Sequence, residues 1–184
     1  MVGVRSHVAL LRGVNVGPRN QLDMGLLREL ATELGLRDVV TYLRSGNLLF
    51  AGGRPDSAGA LEAAIEARTG LRTAVVVLTA AQLAGIVRRN PFPGAPDPKR
   101  MHVVFRAGSR STAETAAIDA AAQRQAAAGS GDRVRIVSGT VYLHTPDGFG
   151  RSRLAGYLAR DPAATIRNWN TVTKLNELVA STAI

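Results

Sequence analysis

The sequence predicts an α+β fold built from two ferredoxin-like halves, each a split βαβ unit followed by an extra helix. Three observations carry this reading. Apolar strands and amphipathic helices alternate in the order β-α-β-β-α-β ahead of a proline-rich run, Asn90 to Pro98. The same order begins again beyond that run. Ser45-Gly46 also stands as far before Leu48-Leu49 as Ser138-Gly139 stands before Val141-Tyr142, so the hairpins repeat. An internal duplication follows, with halves at residues 1–90 and 100–184 and a linker at 91–99.

In the first half, Val4 to Leu11 is a largely apolar strand, and Gly13, Gly17 and Pro18 keep Arg12 to Asn20 irregular. Asp23 is placed to cap a helix with Leu26, Leu27, Leu30 and Leu34 on one face, and Gly35 is its exit. Val39 to Arg44 and Leu48 to Phe50 form a hairpin through Ser45-Gly46-Asn47. A second helix opens at Gly52 to Asp56, carries Leu61, Ala64, Ile65 and Arg68 at helical intervals, and ends at Gly70 before the apolar strand Ala74 to Leu78. Thr79 and Gln82 pair as a capping box for the extra helix of Leu83, Ile86 and Val87, which Asn90-Pro91 stops.

In the second half, Met101 to Phe105 is the first strand, and Ser111 with Glu114 makes a capping box on an alanine-rich helix reaching about Ala128. Arg133 to Val137 and Val141 to His144 repeat the hairpin through Ser138-Gly139-Thr140. Leu154, Tyr157 and Leu158 mark the next helix, Thr165 to Asn170 the last strand, and Leu175, Leu178 and Val179 the final helix. Counted from Thr171, these last three match the offsets of Leu83, Ile86 and Val87 from Thr79.

Composition narrows the chemistry. The 184 residues include no cysteine, which excludes disulfides, thiolate metal sites and cysteine nucleophiles. No apolar run is long enough to span a membrane and no secretory signal is present, so a cytoplasmic protein is expected. The net charge of +9 favours phosphate-bearing partners. Lys99 and Lys174 are the only lysines, however, and abundant arginine, alanine and glycine also fit the coding bias of a GC-rich genome. Long basic runs and aromatic-rich motifs are absent, so nucleic acid is the less favoured partner.

Topology gathers the polar motifs into two clusters. In a split βαβ unit the first two strands run parallel and end at one sheet edge, which brings Arg12, Asn15, Arg19 and Asn20 beside Ser45 and Asn47. By the same argument the third and fourth strands of the second half end together, so Asp147, Gly148, Gly150, Arg151 and Ser152 should lie beside Asn168, Trp169 and Asn170, with Arg167 and Lys174 in the same block. Arg-Asn-Trp-Asn is unusual chemistry for a buried strand, because the matching segment Thr73 to Thr79 is apolar. Each motif also has a plain structural reading: asparagines that close their own loops, Ser152 as a helix cap, Trp169 as packing. The Gly148 to Ser152 loop before a helix suits an anion, though it is neither a P-loop nor a dinucleotide fingerprint. His7, His102 and His144 fall on separate strands with no ligand spacing, so no metal site is expected. Asp147 is the sole general-base candidate.

These residues also carry a resemblance. Ala9-Leu10-Leu11-Arg12-Gly13-Val14-Asn15-Val16-Gly17, Thr41-Tyr42 leading to Ser45-Gly46-Asn47, Asn90-Pro91-Phe92-Pro93, then Gly148, Ser152 and Thr165 to Leu175 resemble the pattern of a bacterial family called domain of unknown function 1697. Pro18 and Arg19 stand where that family often has a glycine and a lysine, so no lysine role carries over. The resemblance implies an α+β fold of two ferredoxin-like halves and implies no reaction. Three functions are therefore weighed: binding of a small phosphate-bearing or other anionic ligand at a polar cleft, a metal-independent and cofactor-free enzyme acting on such a ligand, and a nucleic-acid-binding or purely structural, partner-binding protein. Small-ligand binding is preferred. Ferredoxin-like sheets serve many functions, so the fold does not choose among them.

Overall fold

The computed structural model describes residues 4–18, 20–95 and 97–180. It contains two four-stranded antiparallel sheets, each with helices, in two similar halves, as the repeated element order predicts. The chain packs as two compact units, one of Met1–Gly85 with Thr173–Ile184 and the other of Ile86–Val172. Among the described residues, no helix is long and apolar enough to cross a membrane.

In the first half the elements are β1 (His7–Leu11), α1 (Met24–Glu33), β2 (Arg37–Thr41), β3 (Asn47–Ala51), α2 (Ser57–Thr69), β4 (Val75–Thr79) and α3 (Ala80–Arg88). The sheet order is β2-β3-β1-β4. Since β1 and β2 each pair antiparallel with β3, they run parallel to one another, which is the split βαβ arrangement. Local chemistry sets the helix ends. The Asp23 carboxylate accepts from Leu26 N at 2.8 Å, Gly70 closes α2 in the left-handed region at φ 71°, and Thr79 and Gln82 exchange their capping bonds. The core joins Ala9, Leu11, Leu48, Phe50 and Val75 of the sheet to Leu27, Leu30, Leu61 and Ile65 of the helices.

In the second half β5 (Met101–Arg106), α4 (Thr112–Ala127), β6 (Arg133–Val137), β7 (Thr140–His144), α5 (Arg153–Leu158), β8 (Ala164–Asn168) and α6 (Trp169–Ala180) repeat the order, and the sheet runs β6-β7-β5-β8. Ser111 and Glu114 form the expected capping box. Ser138 and Gly139 both have positive φ, 48° and 78°, which is the two-residue turn whose twist matches a hairpin. Val104, Val141, Leu143, Ala164 and Ile166 pack on Ile118, Leu154 and Leu158. The opposite faces of both sheets are buried too: Val8, Leu10, Leu49 and Val76 in one, Met101, Val103, Phe105 and Tyr142 in the other. Burial on both faces explains why these strands read as continuous apolar runs rather than alternating ones.

Candidate functional site

The loop after β1 and the turn before β3 do meet, and their polar residues serve each other. Asn15 sits at φ 55°, donates through Nδ2 to Arg44 O at 2.7 Å and Leu22 O at 2.9 Å, and accepts from Leu22 N through Oδ1. Asn20, at φ 56°, accepts from Asn15 N and donates to Gly13 O. Asn47 is fully buried and donates to Tyr42 O at 2.8 Å and to Ser45 Oγ at 3.0 Å. The half-buried Arg12 is held by its backbone, with N donating to Ala74 O and O accepting from Thr73 Oγ1. Arg19 lies outside the described residues. The amides of this cluster are committed to loop closure, as their side chains and left-handed backbone would suggest.

The second cluster gathers where β7 and β8 end beside the start of β5. Met101 pairs with His144 and His102 with Asn168. Thr145 N donates to Arg100 O at 2.8 Å, and Asn168 Nδ2 donates to Lys99 O at 3.2 Å. The Asp147 to Ser152 loop leads into α5 and crosses close to Arg100: a Cβ on Gly148 would stand 2.6 Å from Arg100 Nη1. Ser152 Oγ caps α5 by accepting from Ala155 N and bonds Asp132 Oδ2 at 2.5 Å. Around it lies a cleft of about 280 Å³ whose lining includes Ser130, Asp132, Asp147, Gly148, Arg151, Ser152 and Arg153. Gly150 is exposed in the 3-10 turn Phe149–Arg151.

The last strand is shorter than the sequence suggests. It ends at Asn168, and Trp169 and Asn170 already belong to α6. Asn168 Oδ1 accepts from Asn170 N at 2.9 Å and so opens the helix, as Thr79 Oγ1 does for Gln82 N in the first half. Sheet register settles the equivalence. His7 pairs with Thr79 and His102 with Asn168, so Asn168 stands in the place of Thr79 and Arg167 in that of Leu78. The helix counterparts of Leu83 and Ile86 are accordingly Val172 and Leu175, nearly one turn earlier than a count from Thr171 implies; all four are buried. Arg167 is 7 % exposed and donates to Thr165 Oγ1 at 2.6 Å and Ile166 O at 3.1 Å. Burial pulls its pKa down to about 10, which leaves it charged at neutral pH. Trp169 is half-buried, Asn170 is exposed, and Lys174 Nζ donates to Glu177 on the next turn.

Two features are not legible in the sequence. Arg106, Arg110, Glu114 and Asp161 converge at the other end of the second sheet, beside a cleft of about 330 Å³. Asp161 is far from the others in the chain, so only the capping box signalled that region. His102 is the other. It packs at 4.5 Å from the Phe149 ring, its Nδ1 has no hydrogen-bond partner among the described residues, and burial lowers its pKa to about 4 against the opposing effect of a backbone hydrogen bond at Arg100.

His102 predicts a pH dependence. The unfolded chain protonates it near 6.5 and the fold only near 4, so as pH falls through that window the unfolded state takes up the proton first and stability declines. The effect is about 2–3 kcal/mol. His102→Leu should flatten the difference in urea-unfolding free energy between pH 7 and pH 4 by that amount; an unchanged slope would show that His102 does not titrate as its burial requires.

A family model described as protein of unknown function, DUF1697, matches residues 4–142. No curated protein matches the chain. Among solved structures, a conserved bacterial protein from Streptococcus pneumoniae, SP0830, is similar at 20% identity and a TM-score of 0.75, over 95% of this chain and 98% of that one. That likeness shows a shared fold.

Proposed function

The chain belongs to the DUF1697 family of proteins of unknown function, which supplies no reaction, and we propose that it binds a small anionic ligand, foremost a phosphate-bearing one, in the polar cleft beside Gly148 to Ser152. The observation that carries this reading is the cleft itself. Arg151 and Arg153, both exposed, line it together with the Ser130 and Ser152 segments, so two cationic side chains border a volume of small-ligand size. The alternative sites have less to offer. The asparagines near the first sheet edge are spent on their own loops, and Arg167 is buried against Thr165. Asp132 and Asp147 share the lining, which favours a ligand that also carries donor groups, such as a sugar phosphate or nucleotide.

Thermal unfolding with nucleotides, sugar phosphates and simple oxyanions tests the proposal. A ligand at one hundred times its Kd should contribute about 2.7 kcal/mol. An Arg151→Ala, Arg153→Ala double variant should keep the midpoint of the free protein and lose that stabilisation. No response to any of these anions, or an undiminished response in the double variant, would overturn it. Asp147 in the same lining supports a second reading, a metal-independent reaction on the bound ligand. Its mark would be turnover that stops in Asp147→Asn while binding persists. Binding to nucleic acid is expected to be weak, with a shallow salt slope of about −0.7 to −0.9 per neutralised phosphate.

A further inference from the structure

The ion cluster at the far end of the second sheet is satisfied everywhere except at one arginine. Arg106 donates through Nε to Asp161 Oδ2 at 2.9 Å, through Nη1 to Ser109 O at 2.7 Å and through Nη2 to Glu114 Oε1 at 2.9 Å. The acids are equally committed: Asp161 Oδ1 accepts from Ala163 N at 2.9 Å, and Glu114 Oε2 accepts from Ser111 N at 2.7 Å. Arg110 is left over. Its side chain is 7 % exposed, and among the described residues it makes one hydrogen bond, Nη1 to Gly139 O at 3.2 Å, and one long ion pair, Nη2 to Asp161 Oδ2 at 4.0 Å. A guanidinium with spare donors beside a cleft offers them to an acceptor that enters it.

The space beside it is the cleft of about 330 Å³, and the rest of its wall is largely carbon: Ala117 and Ile118 of α4, Tyr157 and Leu158 of α5, and Pro162. Arg160 also lines it, so in the lining two arginines balance Glu114 and Asp161, and Arg106, paired to both acids, leaves the cluster one positive charge over. Backbone closure alone does not require this arginine, because in the first half the uncharged Asn15 ties the corresponding loop to its hairpin. We propose that this cleft is a second ligand site, distinct from the polar one, that takes a small carboxylate with an apolar body, the carboxylate on Arg110 and the body against Ile118, Leu158 and the Tyr157 ring. A planar carboxylate matches the two-donor edge of a guanidinium. The volume lies at the lower end of the range for small-molecule pockets. A bare phosphate would leave the carbon wall uncovered.

Calorimetric titration of the full chain with benzoate and octanoate tests this. Binding is expected at a Kd of about 1 mM or tighter, with benzamide, octanamide and inorganic phosphate at least about tenfold weaker. Arg110→Gln removes the cation, and Ala117→Trp fills the mouth from an exposed helix position without deleting a hydrogen bond; each should raise the Kd at least about tenfold. Arg151→Ala should leave it unchanged, so the result is independent of the polar cleft. Failure of both carboxylates to bind the parent would overturn the proposal, as would equal binding of the amides. So would loss in Arg110→Gln without loss in Ala117→Trp, because the anion would then sit outside the cleft.

Discussion

Arg167→Ala is expected to destabilise the protein by about 2–4 kcal/mol, and Arg167→Leu to recover most of that loss. Several effects compete. Truncating a long core side chain costs roughly 2–5 kcal/mol, and leaving Thr165 Oγ1 without its donor adds roughly 1–3 kcal/mol. Against these stands the relief of no longer burying a charge, roughly 3 kcal/mol for a guanidinium whose pKa burial pulls down to about 10. Alanine loses the packing and keeps the relief; leucine keeps most of both. Leucine is also what the first half places there, at Leu78. Urea unfolding of the two variants decides. If alanine and leucine are equally and severely destabilising, the guanidinium contributes through its hydrogen bonds rather than its bulk. A harmless alanine would mean that the strand reshapes around the gap.

The second large effect is at Gly46, where alanine should cost about 3 kcal/mol or more. Its φ of 75° favours glycine, and the strain for an L side chain is roughly 1–2 kcal/mol. The added Cβ would also stand 2.5 Å from Val14 Cγ2 and 2.8 Å from Leu11 Cβ, both on buried side chains with nowhere to go, so overpacking adds roughly 1–3 kcal/mol. Gly139 provides the control. It has nearly the same φ, 78°, and a Cβ added there would meet nothing within 4 Å, so Gly139→Ala should show the backbone strain alone. Equal unfolding free energies for the two variants would show that the Leu11 and Val14 contacts yield without cost.

The close approach at Gly46 also shows how the conspicuous motif of the first half is tied into its own loops. Leu11 N donates to Gly46 O, Asn15 reaches Arg44 O, and Asn47 holds Tyr42 O, so the Arg12 to Asn20 and Ser45 to Asn47 segments knit two strand ends together. A polar motif on a loop is legible from sequence. Whether its donors face outward or into its own turn is decided by atoms from elsewhere in the chain.

What the sequence determined by itself is everything set within a few residues. The Asp23, Thr79, Ser111 and Ser152 caps depend on side chains and amides three positions apart, and the Ser138-Gly139 turn needs only two residues that tolerate positive φ. From these and from the apolar periods came the element order, the repeat and the ferredoxin-like halves. Tertiary structure alone decided the rest. Thr171 mimicked Thr79 at nearly one helical turn's displacement, and only the pairing of His102 with Asn168 fixed the true register and ended the strand there. Only packing buried Arg167 beside Thr165, and only the meeting of Arg106 with the distant Asp161 left Arg110 with donors to spare beside a cleft. Periodicity reports which face of an element is apolar; it carries no record of which distant partner completes a hydrogen bond or leaves one unmade.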